Sequence, residues 1–182
     1  MARKRRYAGL IAFVLVLGGG SYAIAAAGSD GPGNVPQSKR FHAELNSYQE
    51  VSSVSTPGFG EFDARLVNPT TIRYTLTYHT EGVAFMSHIH FAQRSVNGPI
   101  TVWLCGAQAP EPCPPHDGTV TGVITPAEVM ETGRGIEAGS FAELVRAMRA
   151  GHTYVNVHTN PRFPGGEIRG QVNDRDQREF DK

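Results

Sequence analysis

A period-two alternation of apolar and polar residues is the feature that most constrains the fold of this 182-residue chain. It recurs in short segments rich in Val, Ile, Thr, Tyr and Phe, namely RFHAELN, GEFDARLV, TIRYTLTYH, SHIHF, PITVWLC, GTVTGVI, TYVNVHT and GEIRGQV. Gly, Pro and Asn separate these segments, as they commonly do between antiparallel strands. The sequence therefore predicts an all-β fold, an antiparallel, Greek-key-like β-sandwich or barrel.

Two short helices are predicted in the connections between strands. One begins at Thr125, an N-cap followed by Pro126 and by Glu128 at the capping-box position. The other begins at Ser140, with Glu143 at the equivalent position. In this second helix an apolar stripe predicts packing against the sheet; it consists of Phe141, Leu144, Val145 and Met148.

The N-terminal segment has the features of an export signal. Residues 1–27 place four basic residues before an apolar run and end in small residues, which predicts a signal peptide. The run is also long enough to remain as a membrane anchor, so both alternatives stay open. Either one makes the rest of the chain extracytoplasmic, secreted or anchored to the cell membrane. Residues 28–39 predict a flexible spacer, 40–173 the β domain and 174–182 a charged tail.

Charge and motif content exclude several function classes. The chain has 17 basic and 17 acidic residues, and four of the basic ones lie in the leader, which leaves 13 against 17 elsewhere. Because no basic surface is indicated, no nucleic-acid partner is expected. The sequence has no G-x-S-x-G elbow, P-loop or dinucleotide fingerprint. Ser87 and His88 are adjacent on a strand and point to opposite faces, so no catalytic residue is predicted.

Two cysteines, Cys105 and Cys113, bracket a Pro-rich loop. In an exported chain an even number of cysteines at close spacing favours a disulfide. The alternative makes them thiolate ligands of copper(I) or zinc, but their spacing is not that of a zinc finger and no second pair exists. The sequence predicts the disulfide.

Four segments in a fixed order carry a family resemblance: AFMSHIHFAQRSVNGPITVWLC, TGVITPAEV, FAELVRAMRAGHTYVNVHT and FPGGEIRGQV. Together they resemble the CHRD domain, which is named from the animal protein chordin and also occurs singly in exported bacterial proteins. The resemblance covers most of residues 40–173. It implies an extracellular all-β binding module of the cell envelope, without evident catalysis, whose partner is an extracellular protein or an envelope ligand.

Three histidines suggest a metal site. His88 and His90 are two residues apart on a strand, so their side chains share a face about 6.6 Å apart. His158 lies on a second alternating strand, and three neutral imidazoles suit copper or zinc if the two strands are neighbours. The pattern is similar to the copper side of copper/zinc superoxide dismutase, although a zinc loop and a clear fourth copper ligand are missing. His116 and His152 are the weaker candidates for that fourth ligand.

The alternative hypothesis is a hydrogen-bonded polar network without metal, built from these histidines with Asn156, Glu167 and Arg169. Glu167 and Arg169 share a strand face and are predicted to form an ion pair, or else Arg169 attracts an anion or a partner's carboxylate. Geometry separates the hypotheses. A metal site requires the three imidazole nitrogens to lie within about 4 Å of one point.

Overall fold

A computed structural model describes residues 39–172 of the chain. Among these residues no helix is long and apolar enough to cross a membrane. The predicted leader, the charged tail and all of the spacer except Lys39 lie outside the described residues. The described elements are β1 (Arg40–Asn46), β2 (Phe59–Asn68), β3 (Thr71–His79), β4 (Val83–Phe91), β5 (Ile100–Gly106), β6 (Asp117–Ile124), α1 (Phe141–Arg149), β7 (Thr153–Asn160) and β8 (Phe163–Gln171), with 3₁₀ turns at Ser47–Gln49 and Pro126–Glu128.

The eight strands form one antiparallel sheet in the order β5-β4-β7-β8-β1-β2-β3-β6. The sheet curls into a nearly closed barrel, which confirms the predicted all-β antiparallel class. β4 and β7 are far apart in the sequence but are direct neighbours in the sheet. This pairing brings the strand that carries His88 and His90 beside the strand that carries His158.

The barrel interior follows from the period-two pattern. In β3 the residues Ile72, Leu76 and Tyr78 are buried, while the alternate positions inside the strand are exposed, namely Arg73, Thr75 and Thr77. The helix α1 contributes the predicted stripe, since Phe141, Leu144, Val145 and Met148 are all buried. Each large apolar side chain buried in this way contributes about 1.5–3 kcal/mol.

The two predicted helix N-termini differ in whether their capping box forms. The capping box at Thr125 is present as predicted, and the Glu128 carboxylate accepts a hydrogen bond from the Thr125 N–H at 2.7 Å. The capping box predicted at Ser140 is wrong, because the Ser140 side chain makes no capping hydrogen bond. The backbone ψ of Ser140 is 63°, which departs from the extended conformation of an N-cap. The Glu143 carboxylate forms an ion pair with Arg146 and does not complete a capping box.

The predicted disulfide between Cys105 and Cys113 is present, with the Cα atoms 5.1 Å apart. It ties the end of edge strand β5 to the loop that leads into β6, the other edge strand. Cys105 is fully buried, so the bond anchors this loop to the core. Disulfides are typical of proteins that fold in oxidising compartments.

We expect the double replacement Cys105→Ala and Cys113→Ala to lower the free energy of unfolding by about 2.5 kcal/mol, the loop-closure value for such a short loop. Urea denaturation of the oxidised wild type and of the variant measures the difference. The wild type treated with a reductant is the control and should approach the variant. Equal midpoints for all three samples would contradict the prediction.

Candidate metal centre

The sheet has a second, polar face where β4, β7 and β8 lie side by side. On the inner face Ile89, Val155 and Val157 belong to the apolar core, as the alternation predicted for Ile89. On the opposite face direct cross-strand pairs join His88 to Asn156 and His90 to Tyr154. We refer to the residues of this face as the polar layer: Met86, His88, His90, Tyr154, Asn156, His158, Arg169 and Gln171.

Histidines of the polar layer converge on one point. One ring nitrogen from each of His88, His90 and His158 lies within 4.8 Å of the other two. For three such atoms a common point exists within about 2.8 Å of each, which is 4.8 Å divided by √3. Metal–imidazole bonds measure about 2.0–2.1 Å, so small side-chain movements would close the site around an ion. The arrangement meets the geometric requirement set from the sequence.

Backbone carbonyls orient two of the imidazoles. His90 donates from Nδ1 to the Gly98 carbonyl at 2.8 Å, and His158 donates from Nδ1 to the Pro164 carbonyl at 2.9 Å. Because a carbonyl only accepts, these bonds place the proton on Nδ1 and leave a lone pair on Nε2. Hydrogen bonds of this kind hold the outer nitrogen of metal-bound histidines in proteins.

Only part of the hydrogen-bonded network of the alternative hypothesis is formed, with the Asn156 side chain as a hydrogen-bonding neighbour that raises the pKa of His88 and of His90. Among the described residues ten buried side-chain nitrogen or oxygen atoms lack a hydrogen-bond partner. Four of the ten belong to this cluster: both ring nitrogens of His88, and Nε2 of His90 and of His158. A buried polar atom without a partner costs about 1–3 kcal/mol, so the cluster would be stabilised by any group that binds these nitrogens.

Burial keeps the three imidazoles neutral. It lowers the pKa of His88 to about 3, with a further contribution from the neighbouring His158 and His90. Burial likewise lowers the pKa of His90 to about 4 and also lowers the pKa of His158. A neutral imidazole is the form that binds a metal, so at neutral pH the three side chains are in the protonation state that metal binding would require.

Aromatic side chains hold the histidine rings in place. The Trp103 ring meets the His88 ring edge to face, with centroids 4.2 Å apart. Tyr154 stacks parallel to His90 at 4.6 Å, and the Arg169 guanidinium lies 3.4 Å from the centroid of the Tyr154 ring. Sequence reasoning did not identify Trp103 as part of the site. The pairing of the consecutive strands β4 and β5 is expected, but the sequence does not indicate the register shift between Ser87 and His88 that places Trp103 opposite His88.

The predicted ion pair between Glu167 and Arg169 is not formed. Glu167 instead accepts hydrogen bonds from the backbone N–H groups of Glu81 and Gly82, at 2.7 and 3.1 Å, and from Thr159 Oγ1 at 2.7 Å. Arg169 donates to Asn97 Oδ1 and to the Val96 carbonyl. The prediction was wrong because the pairing of β7 with β8 is irregular beyond Val157, which a strict two-residue period does not anticipate.

A cavity of about 330 Å³ adjoins the polar layer and includes Arg169 in its wall. Its other lining residues include the exposed Tyr48 and the buried Glu50. Burial raises the pKa of Glu50 to about 7 even though the nearby Arg169 lowers it. Arg169 lines the cavity and also lies over the ring of Tyr154, which in turn stacks on His90.

The remaining candidate histidines lie outside the cluster. His116 and His152 are exposed, and His152 bonds to the nearby Ala150 carbonyl. His42 forms a separate group with Glu61 and Asp63, whose carboxylates are exposed. Among the described residues, the group whose ring nitrogens lie close enough together to hold an ion consists of His88, His90 and His158. Neither His116 nor His152 belongs to this group.

Comparison with known proteins identifies a family. The family model of the CHRD domain matches residues 41–172, from β1 to the end of β8, and includes all three clustered histidines. No curated protein and no solved structure matches the chain.

Proposed function

The chain belongs to the CHRD domain family, and we propose that this member is an exported binding module that holds a copper or zinc ion on His88, His90 and His158. The observation that carries the proposal is the convergence of one ring nitrogen from each of three buried histidines, all within 4.8 Å of one another. Within the described residues the cluster contains no carboxylate or thiolate. Imidazole-only ligation suits copper and zinc and is foreign to calcium and magnesium, which require oxygen ligands.

We further propose that the module acts outside the cytoplasm, secreted or held at the membrane by its N-terminal segment. The disulfide between Cys105 and Cys113 supports an oxidising compartment. Its partner is an extracellular protein or an envelope ligand, and the cavity beside Arg169 supplies a candidate contact surface for an anionic group of that partner.

Metal titration of protein stripped with a chelator tests the proposal. We expect the wild type to bind one equivalent of Cu(II) or Zn(II) and to melt at a higher temperature when loaded, because the ion binds only the folded state. His90→Ala removes one of three ligands and should lower the affinity by at least about 100-fold. His79→Ala is the matched control, since His79 lies at the end of β3 outside the cluster, and should bind as the wild type does.

Thermal melts of the same proteins with and without metal separate the two hypotheses. A structural network would make His90→Ala less stable by about 1–3 kcal/mol whether or not metal is added. A wild type that takes up no stoichiometric metal and shows no shift in melting temperature would contradict the metal-binding function.

A further inference from the structure

Met86 lies at the end of the polar layer, next to two of the three histidines. It precedes His88 by two residues on β4 and pairs directly with His158 on β7. Residues two apart on a strand share a face, and directly opposed residues have Cβ atoms about 4.5–5.5 Å apart. Met86 is half-buried, whereas the three histidines are buried. It therefore stands at the more open end of the cluster.

A β-bulge is responsible for this placement. Ala84 pairs with Thr159 and Met86 pairs with His158, so Phe85 is the extra residue between them. A regular ladder would place Phe85 opposite His158 and turn Met86 toward the core. The bulge shifts the register by one residue and brings Met86 onto the face of His88 and His90.

A glycine on β5 and the ring of Phe85 are the neighbours of Met86. Its partner on β5 is Gly106, where a Cβ atom would lie 2.9 Å from Met86 Cα. Gly106 also has a φ of 96°, which favours glycine, so the position opposite Met86 carries no side chain. On the other side the Phe85 ring lies 6.4 Å from the His158 ring and forms an apolar wall.

We propose that the Met86 thioether is the fourth ligand of the metal and makes the site selective for copper(I) over zinc. The inference rests on the metal-binding function proposed above. Thioether sulfur is a soft ligand that copper(I) accepts, whereas zinc sites in proteins use thiolate, imidazole and carboxylate ligands. Three imidazoles alone would serve either metal, so the sulfur is the group that discriminates between them. The unbranched methionine side chain adapts easily to an ion that enters from the open end.

Affinity measurements on Met86→Leu test the inference. Leucine preserves volume and hydrophobicity and removes only the sulfur. We expect the affinity for Cu(I), measured without oxygen by competition with a chromophoric chelator, to fall by about 10-fold or more as a soft ligand is lost. The affinity for Zn(II), measured by calorimetry, should change by less than about two-fold because zinc does not use this ligand. Met148→Leu, in the buried stripe of α1, is the matched control and should leave both affinities unchanged.

His90→Ala, measured in parallel, distinguishes the possible failures. If Met86→Leu binds Cu(I) as the wild type does while His90→Ala loses both metals, the thioether ligand is wrong and the histidine site stands. If Met86→Leu loses both metals equally, Met86 does not discriminate and the inference is overturned. If the wild type binds neither metal, the proposed function fails as well. X-ray absorption of the copper(I) form adds a direct readout, because a sulfur neighbour should be present in the wild type and absent from Met86→Leu.

Discussion

Replacing Glu167 with alanine is expected to lower the free energy of unfolding by about 3–5 kcal/mol, because three donors, one of them the buried Thr159 hydroxyl, lose a fully buried acceptor together. The carboxyl group is fully buried and accepts from the N–H groups of Glu81 and Gly82 and from the Thr159 hydroxyl. It thereby ties the turn between β3 and β4 to β8. Urea denaturation followed by circular dichroism measures the loss.

Glu44→Ala is the control for this measurement. Glu44 lies on β1 with a largely exposed side chain, and its replacement should change stability by no more than about 0.5 kcal/mol. A Glu167→Ala variant within about 1 kcal/mol of the wild type would show that water or a rearranged turn satisfies the donors. In that case Glu167 would not be a structural anchor.

Metal-free protein is expected to lose several kcal/mol of stability as the pH falls from about 6.5 to 4. The unfolded chain takes up protons on its histidines near pH 6.5, whereas burial holds the pKa of His88 at about 3 and that of His90 at about 4 in the folded state. Unfolding in this window therefore binds protons, and each such histidine costs up to about 1.4 kcal/mol per pH unit. His158, whose pKa is also lowered, adds in the same direction.

Glu50 opposes this trend. Its pKa is raised to about 7 in the folded state from 4.5, so the folded protein binds the extra proton and gains stability as the pH falls from 7 to 4.5. Three histidines outweigh one carboxyl group, and the net stability should still decrease toward acid pH. Urea melts from pH 7 to 4 in the presence of a chelator measure the slope.

Two variants identify the source of the pH dependence. His90→Gln should flatten the slope because one buried titrating group is removed. His152→Gln, at an exposed position before β7, should leave it as in the wild type. A wild-type stability that does not change between pH 7 and 4 would mean that the cluster opens to water on protonation, contrary to the expectation.

The features that could be predicted correctly from the sequence are those that depend on local geometry. The period-two pattern determined the strands, and it placed His88 and His90 on one face with Ile89 in the core, because successive side chains in any strand point to opposite sides. The capping box at Thr125 depends on residues that are neighbours in the sequence and could be predicted in the same way. The disulfide followed from the presence of two cysteines only. Each of these features depends on residues that are close in sequence or have no alternative partner.

Tertiary structure decided everything that depends on strand neighbours and register. The period alone could not tell that β7 would pair with β4, nor that a bulge at Phe85 would put Met86 opposite His158. Because the pairing of β7 with β8 is irregular, Glu167 accepts a hydrogen bond from the backbone of Glu81 in the turn before β4. Arg169 instead lies over the ring of Tyr154. These contacts join segments that are distant along the chain, and their free energies depend on packing and loop closure across the whole barrel. The sequence by itself therefore determined which side chains share a strand face, while the order and register of the strands in the sheet decided which side chains meet around the histidines.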